Sequence, residues 1–157
     1  MRDPVDRAVS QLSMHVHLAQ ANSLPKFEGW RLSGFNVPET EALDRLVDHY
    51  FEELTFRSRY GEVLEKITAL DATIPSLVMT TDELFSPGGL DLVTGFLEIP
   101  EVAVDPTPRN VRRHVSISLE SRRKIARSLE STYRYMEQYF GANGFPKSWL
   151  PSLDLLE

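Results

Sequence analysis

The sequence predicts a mainly α, single-domain helical bundle of three long and one or two short helices, with room for a minor β element in the 30s, 70s or 110s. Three observations carry this expectation. Apolar residues recur at helical spacing over three long stretches, roughly 4–21, 38–59 and 119–140. Proline and glycine fall at the edges of those stretches or between them. The chain has 157 residues, of which 41% are hydrophobic and 25% charged, an ordinary composition for a soluble domain. A domain of this size buries roughly 70% of its unfolded surface and needs no covalent staple.

Asp3-Pro4-Val5-Asp6 is a helix start, with an Asp cap, Pro at the first helical position and an acid in the first turn. Val5, Ala8, Val9, Leu12, Val16 and Ala19 then line one face, with Met14 and Leu18 on the other side. Residues 22–37 hold Pro25, Gly29 and Gly34 and read as a loop, in which Trp30, Leu32 and Val37 suggest a short extended piece. Pro38 opens the second helix. Its core face of Leu43, Leu46, Val47, Tyr50, Phe51 and Leu54 spans an arc of about 140°. Glu41, Asp44, Asp48 and Glu52 lie opposite. After Gly61 the pattern resumes with Val63, Leu64, Ile67 and Leu70.

The middle is punctuated by Pro75, Ser86-Pro87-Gly88-Gly89, Pro100, Pro106 and Pro108. Thr81–Leu84 and Leu90–Leu97 read as short helices, Ile74–Met79 as a candidate strand, and 98–110 as an extended connector. Val115, Ile117 and Leu119 alternate with polar residues, a strand period. From Ser118 the period turns helical. Ile125, Ala126, Leu129, Tyr133, Met136 and Phe140 share a face up to the stop at Gly141-Ala142-Asn143-Gly144. Residues 1–144 are thus expected to form the helical domain. Residues 145–157 are expected to form an apolar tail that packs on it or docks a partner.

Charge divides the chain. Residues 106–135 carry eight basic side chains against two acidic ones, and this +6 sits in a chain whose total is −6, leaving −12 for the rest. Such bipolarity steers charged partners or self-association. On the last helix Arg123, Arg127 and Arg134 lie opposite the core. Glu120 stands one turn before Lys124 and Glu130 one turn before Arg134, which neutralises part of that stripe. Arg109, Arg112 and Arg113 have no acid within reach except Asp105. The candidate partner-binding residues are therefore Arg109, Arg112, Arg113, Arg123 and Arg127, with Trp149 and Leu150 of the tail as apolar anchors. The acidic stripe of the second helix and the basic stripe of the last both point away from their own cores. This gives the expectation that they meet between molecules, in a weak, salt-sensitive homodimer.

Val115-Ser116-Ile117-Ser118-Leu119-Glu120 followed by a basic helix resembles the strand and first helix of ribbon-helix-helix DNA-binding proteins, over some 20 residues. The resemblance implies a two-stranded ribbon that reads the major groove. The sequence departs from that pattern in a helix expected to continue to Phe140 without a turn, and in the small or weak base readers His114, Ser116 and Ser118.

No catalytic or metal signature occurs. The phosphate-loop, G-x-G-x-x-G and G-x-S-x-G patterns are missing, and no Glu-x-x-His accompanies the acidic stripe. The four histidines, His15, His17, His49 and His114, have no triad or zinc spacing and read as structural or surface residues, with His49 placed to pair with Glu53. No cofactor or metal is expected. Cysteine is absent. The N-terminal residues have no apolar signal core, and no run approaches 18 apolar residues. The expectation is a soluble, acidic, cytoplasmic protein with no membrane partner. Its leading function is that of a non-enzymatic adaptor, regulator or inhibitor binding another protein with an acidic surface. A nucleic-acid-binding regulator using 109–134 and an enzyme with a site assembled from scattered residues are the alternatives.

Overall fold

Asp3 does what the sequence expects at the first helix. Its Oδ1 accepts the Asp6 N–H at 2.9 Å, and α1 runs over Pro4–Ala21. The structure, a computed structural model, describes residues 1–21, 25–71, 73–101, 115–141 and 144–157. Among them the architecture is mainly α, a single-domain helical bundle without a β-sheet.

Val5, Ala8, Val9, Leu12, Val16 and Ala19 are all buried, so α1 is the central helix of the core. Two 3-10 turns, Pro25–Trp30 and Leu32–Gly34, replace the extended piece expected near Trp30. Trp30 stacks on Tyr50, with centroids 3.8 Å apart and planes within 15°. The single second helix of the sequence reading is broken at that Tyr50, which has φ −109° and ψ 27°. It becomes α2 (Glu39–His49) and α3 (Phe51–Phe56). The inward face survives the break, with Leu43, Leu46, Val47 and Leu54 buried. α4 (Tyr60–Asp71) packs against the last long helix, with Gly61 close to Tyr135 and Thr132 and Leu64 buried.

That last helix is also broken, at Leu129, into α7 (Leu119–Ser128) and α8 (Glu130–Phe140). The Ser128 hydroxyl donates to the Ile125 carbonyl at 2.8 Å, and the Leu129 N–H is shared between the carbonyls of Ile125 and Ala126. A hydroxyl inserted into the carbonyl ladder tightens and bends a helix. The apolar phase continues across the bend, so Ile125, Ala126, Leu129, Tyr133 and Met136 all remain in the core.

Residues 115–118 form no strand, nor do 74–79. The alternation is nevertheless real in burial, with Val115 and Ile117 inward and Ser116 outward. The backbone donors of this segment go to helices instead of a ladder. Val115 N–H reaches Ser13 Oγ at 3.2 Å, and Ser118 N–H reaches Asp44 Oδ1 at 3.0 Å. A buried backbone needs partners but not strand partners.

The final residues are three short turns: 3-10 at Lys147–Trp149, α9 at Leu150–Leu153 and 3-10 at Asp154–Leu156, the last packed on α7. Trp149 is 1% exposed, ringed by Tyr60, Tyr133 and Phe145. Between α4 and α7 stands a hairpin of α5 (Thr81–Leu84) and α6 (Gly89–Leu97). A capping box of Thr80 and Glu83 starts α5. Its start is tied to the rest of the molecule by the Met1 carbonyl, which accepts from Thr81 N–H and Oγ1, and by a hydrogen bond from Ser148 to Asp82. The turn between the two helices needs its glycines. Gly88 has φ +82°, and a Cβ at Gly89 would lie 2.0 Å from the Glu83 carbonyl oxygen.

Candidate functional site

The acidic and basic stripes face each other inside one molecule. Lys124 Nζ lies 2.5 Å from Asp48 Oδ1 and 5.0 Å from the Phe51 ring centroid. Arg122 reaches Asp6 at 2.7 Å, and Arg134 pairs with Glu130 and Glu137. This corrects the expectation that the stripes do not easily meet within one bundle, and it takes Lys124 and Asp48 out of the set of charges free to join two molecules. The orientation of α7 across α1 and α2 is a tertiary fact that helical phase does not contain.

Arg123 and Arg127 form no ion pair with any described residue. They line an open cleft of about 780 Å³ together with Asp44, Asp48, Ser118, Glu120, Ser121 and Lys124. Three carboxylates in the wall make this a mixed cleft and a poor seat for a phosphate backbone, whose binding depends on uncompensated cations. Of the other candidate residues, Arg109, Arg112 and Arg113 lie outside the described residues, as does His114. Trp149 is a core residue and offers nothing to a partner, which corrects its assignment as an anchor. Its neighbour Leu150 is exposed.

Two polar groupings have buried members: the Asp3 cluster is closed to solvent, while His15 is buried beside an exposed Glu53. Asp3, 3% exposed, accepts from Ser152 Oγ at 3.0 Å and from Tyr133 Oη at 3.1 Å, while Tyr133 Oη accepts the Val5 N–H at 3.3 Å. The cluster joins α1, α8 and α9. Burial is the main cause that raises the Asp3 carboxyl above its ordinary pKa, against the hydrogen bond from the Asp6 backbone. Burial likewise raises the Tyr133 hydroxyl. His15 packs edge-on against Trp30 at 4.4 Å and lies 3.6 Å from Glu53, so Glu53 faces His15 and not His49. Burial lowers the His15 pKa, against the pull of Glu53. His49 instead meets the edge of Tyr50 beside a cavity of about 370 Å³, lined by Gly29, Phe35, Arg45, Leu46, His49 and Tyr50. Among the described residues no three His, Asp or Glu side chains are grouped to hold a metal ion.

The outer surface of the α5–α6 hairpin is of another kind. Ten of the thirteen large apolar side chains exposed among the described residues lie between Phe56 and Ile99. On α6 the polarity is inverted. Thr94 and Gly89 are buried, while Leu92 is 62% and Phe96 42% exposed, with Leu97 and Ile99 also in solvent. Leu92 and Phe96 are four apart and stack along one face. Among the described elements the main packing of α6 is against α5. The stretch is acidic in sequence: residues 67–108 contain seven carboxylates and no Lys, Arg or His. Both signals, an apolar i, i+4 pair on a helix and a 42-residue stretch without a basic side chain, are in the sequence. The apolar run there reads as core until the structure places its neighbours.

No family model, curated protein or solved structure matches this chain. No helix among the described residues is long and apolar enough to cross a membrane.

Proposed function

We propose that this protein is a non-enzymatic interaction protein, an adaptor, regulator or inhibitor that works by holding another protein on the outer face of the α5–α6 hairpin. One observation supports this above the others. The helix whose main packing among the described elements is against one short neighbour turns Leu92, Phe96 and Leu97 to solvent and keeps Thr94 inside. Contiguous apolar surface in water is unfavourable, and in monomeric proteins it marks a contact site. The acids around it disfavour an anionic membrane as the second surface. They disfavour nucleic acid for the same reason.

The test is the size at which the protein elutes from an extract of its native host, in wild type and in a Leu92→Glu, Phe96→Glu double variant. Both side chains are exposed, so the variant is expected to keep its melting temperature. The wild type should elute in a complex larger than the free chain, and the variant should elute alone. A wild type that elutes alone would contradict the proposal.

A further inference from the structure

We infer that the partner segment is a basic amphipathic helix, laid across α6 with its closest approach at Gly95. This rests on the reading above, that the hairpin's outer face meets a protein, and it specifies the chemistry of what docks there.

Gly95 lies in the interior of α6, at a position where an alanine would serve the helix better. Nothing among the described residues requires the glycine. It has no positive φ, and apart from its own helix backbone and chain neighbours no atom of the described residues lies within 4 Å of a Cβ built there. It adjoins Phe96 in sequence and lies three residues from Leu92, so it leaves bare backbone beside the two protruding apolar side chains, on the flank that also carries Asp91. A glycine beside a ridge of large side chains leaves a groove, and a second helix can approach backbone to backbone there.

Glu98 points to the sign of the partner. It occupies the C-terminal cap of α6 with φ 53° and ψ 36°, a left-handed conformation that favours glycine or asparagine. A carboxylate at a helix C-terminus also opposes the helix dipole. The residue is unfavourable on both local counts, and strain of this kind is retained where function requires it. Asp91 stands in the first turn of the same helix and Glu101 just beyond its end. None of the three is ion-paired with a described residue. A helix bringing Leu or Ile to Leu92 and Phe96, and Lys or Arg to Asp91, Glu98 and Glu101, would meet both needs. A second copy of this chain is a poor occupant. Of the α7 cations, Arg122 and Lys124 are paired internally, and Arg123 and Arg127 stand among Asp44, Asp48 and Glu120.

The experiment uses the full chain and two labelled synthetic peptides of about 14 residues, one with Leu at helical core spacing and Lys elsewhere, the other with Glu in place of Lys. Fluorescence anisotropy at physiological salt should show saturable binding of the Leu/Lys peptide and none of the Leu/Glu peptide. Leu92→Glu with Phe96→Glu should weaken binding by roughly tenfold or more, the range of a lost hot spot, although it adds negative charge. Gly95→Leu should weaken it too. Asp91→Lys with Glu98→Lys should reverse the preference between the peptides. Binding that is indifferent to Leu92→Glu and Phe96→Glu, or strengthened by them, would be non-specific charge attraction and would overturn the inference. So would equal binding of the Leu/Glu peptide, or a wild-type dimer in sedimentation that Leu92→Glu abolishes. If the host complex depends on Leu92 and Phe96 while the Leu/Lys peptide shows no preference, the partner chemistry fails and the interaction reading stands. If the wild type also elutes alone from the extract, both fail.

Discussion

The surface joining α1, α8 and the C-terminal turns and the surface of the α5–α6 hairpin use their side chains in opposite ways. In the first, the polar atoms of Asp3, Tyr133 and Ser152 satisfy one another under cover, and the tail brings Trp149 to 1% exposure among aromatic rings. In the second, the small and polar residues Gly89 and Thr94 are covered and Leu92 and Phe96 are not. A folded chain gains its stability from the first arrangement. The second contributes little to folding and leaves apolar area free for something else. The comparison separates residues that hold the fold from residues proposed to hold a partner.

Substitutions can break that comparison, and the largest effect is expected at Trp149. Trp149→Ala removes a fully buried aromatic and should cost about 3–5 kcal/mol, a fall of about 10 °C or more in Tm for a chain of this length. Leu92→Ala with Phe96→Ala removes comparable apolar surface from the hairpin and should change stability by no more than about 0.5 kcal/mol. Equal losses in the two melting curves would erase the distinction.

Next comes Asp3. Asp3→Ala removes the α1 cap, worth about 1 kcal/mol, and leaves the buried hydroxyls of Tyr133 and Ser152 short of an acceptor, a further ~1–3 kcal/mol. Asp3→Asn keeps the cap and isolates the charge. The folded-state pKa of Asp3 is raised, so between its unfolded and folded pKa values the folded chain holds a proton that the unfolded chain has lost. Stability from this group is greatest at acid pH and declines as pH rises through that window. Thermal melts from about pH 3 upward should show this decline in wild type and not in the Asn variant, the other carboxylates being common to both.

A smaller effect is expected across α2 and α7. The Lys124–Asp48 pair is half-exposed, so Lys124→Ala should cost no more than about 1 kcal/mol, the contact with Phe51 included. Because Lys124 already pairs with Asp48 and Arg134 with Glu130 and Glu137 inside one molecule, and Arg123 and Arg127 stand among Asp44, Asp48 and Glu120, sedimentation at ~100 μM should give a monomer in low and high salt alike. The smallest effect carries the opposite sign. Gly95→Ala should stabilise the free protein by roughly 0.5–1 kcal/mol, which chemical denaturation resolves.

Much of the bundle was legible in the sequence because local chemistry decides it. The Asp3-Pro4 start and the apolar period of α1, the inward face of α2 and the face running from Ile125 to Met136 are properties of short stretches. What was not legible depends on distant partners. Asp3 reads as a cap, but nothing near it announces Ser152, 149 residues away. The break at Leu129 leaves the apolar phase unchanged, and its cause is the rotamer of one serine. Val115 and Ile117 alternate like a strand because one side of the segment is buried, and that holds equally for a chain whose N–H groups end on Ser13 and Asp44. The basic residues drew attention as a site because charge is visible in one dimension. Of those candidates, Arg123 and Arg127 proved to line a cleft shared with three carboxylates, and Trp149 proved to be core. The Leu92–Phe96 face went unread because an apolar helix between two turns looks like core until one knows what packs on it.

Amide hydrogen exchange on the full chain, with and without the Leu/Lys peptide, tests the separation of the two regions most directly. In the free protein the amides of α6 should exchange through local opening, at a lower free energy than those of α1 and α8, because among the described elements the main contact of α6 is with α5. The peptide should slow exchange in Gly89–Leu97 and leave α1 and α8 unchanged. Protection of free α6 at the level of α1, or peptide protection that falls on the α2–α7 cleft instead, would contradict the assignment of docking to the hairpin.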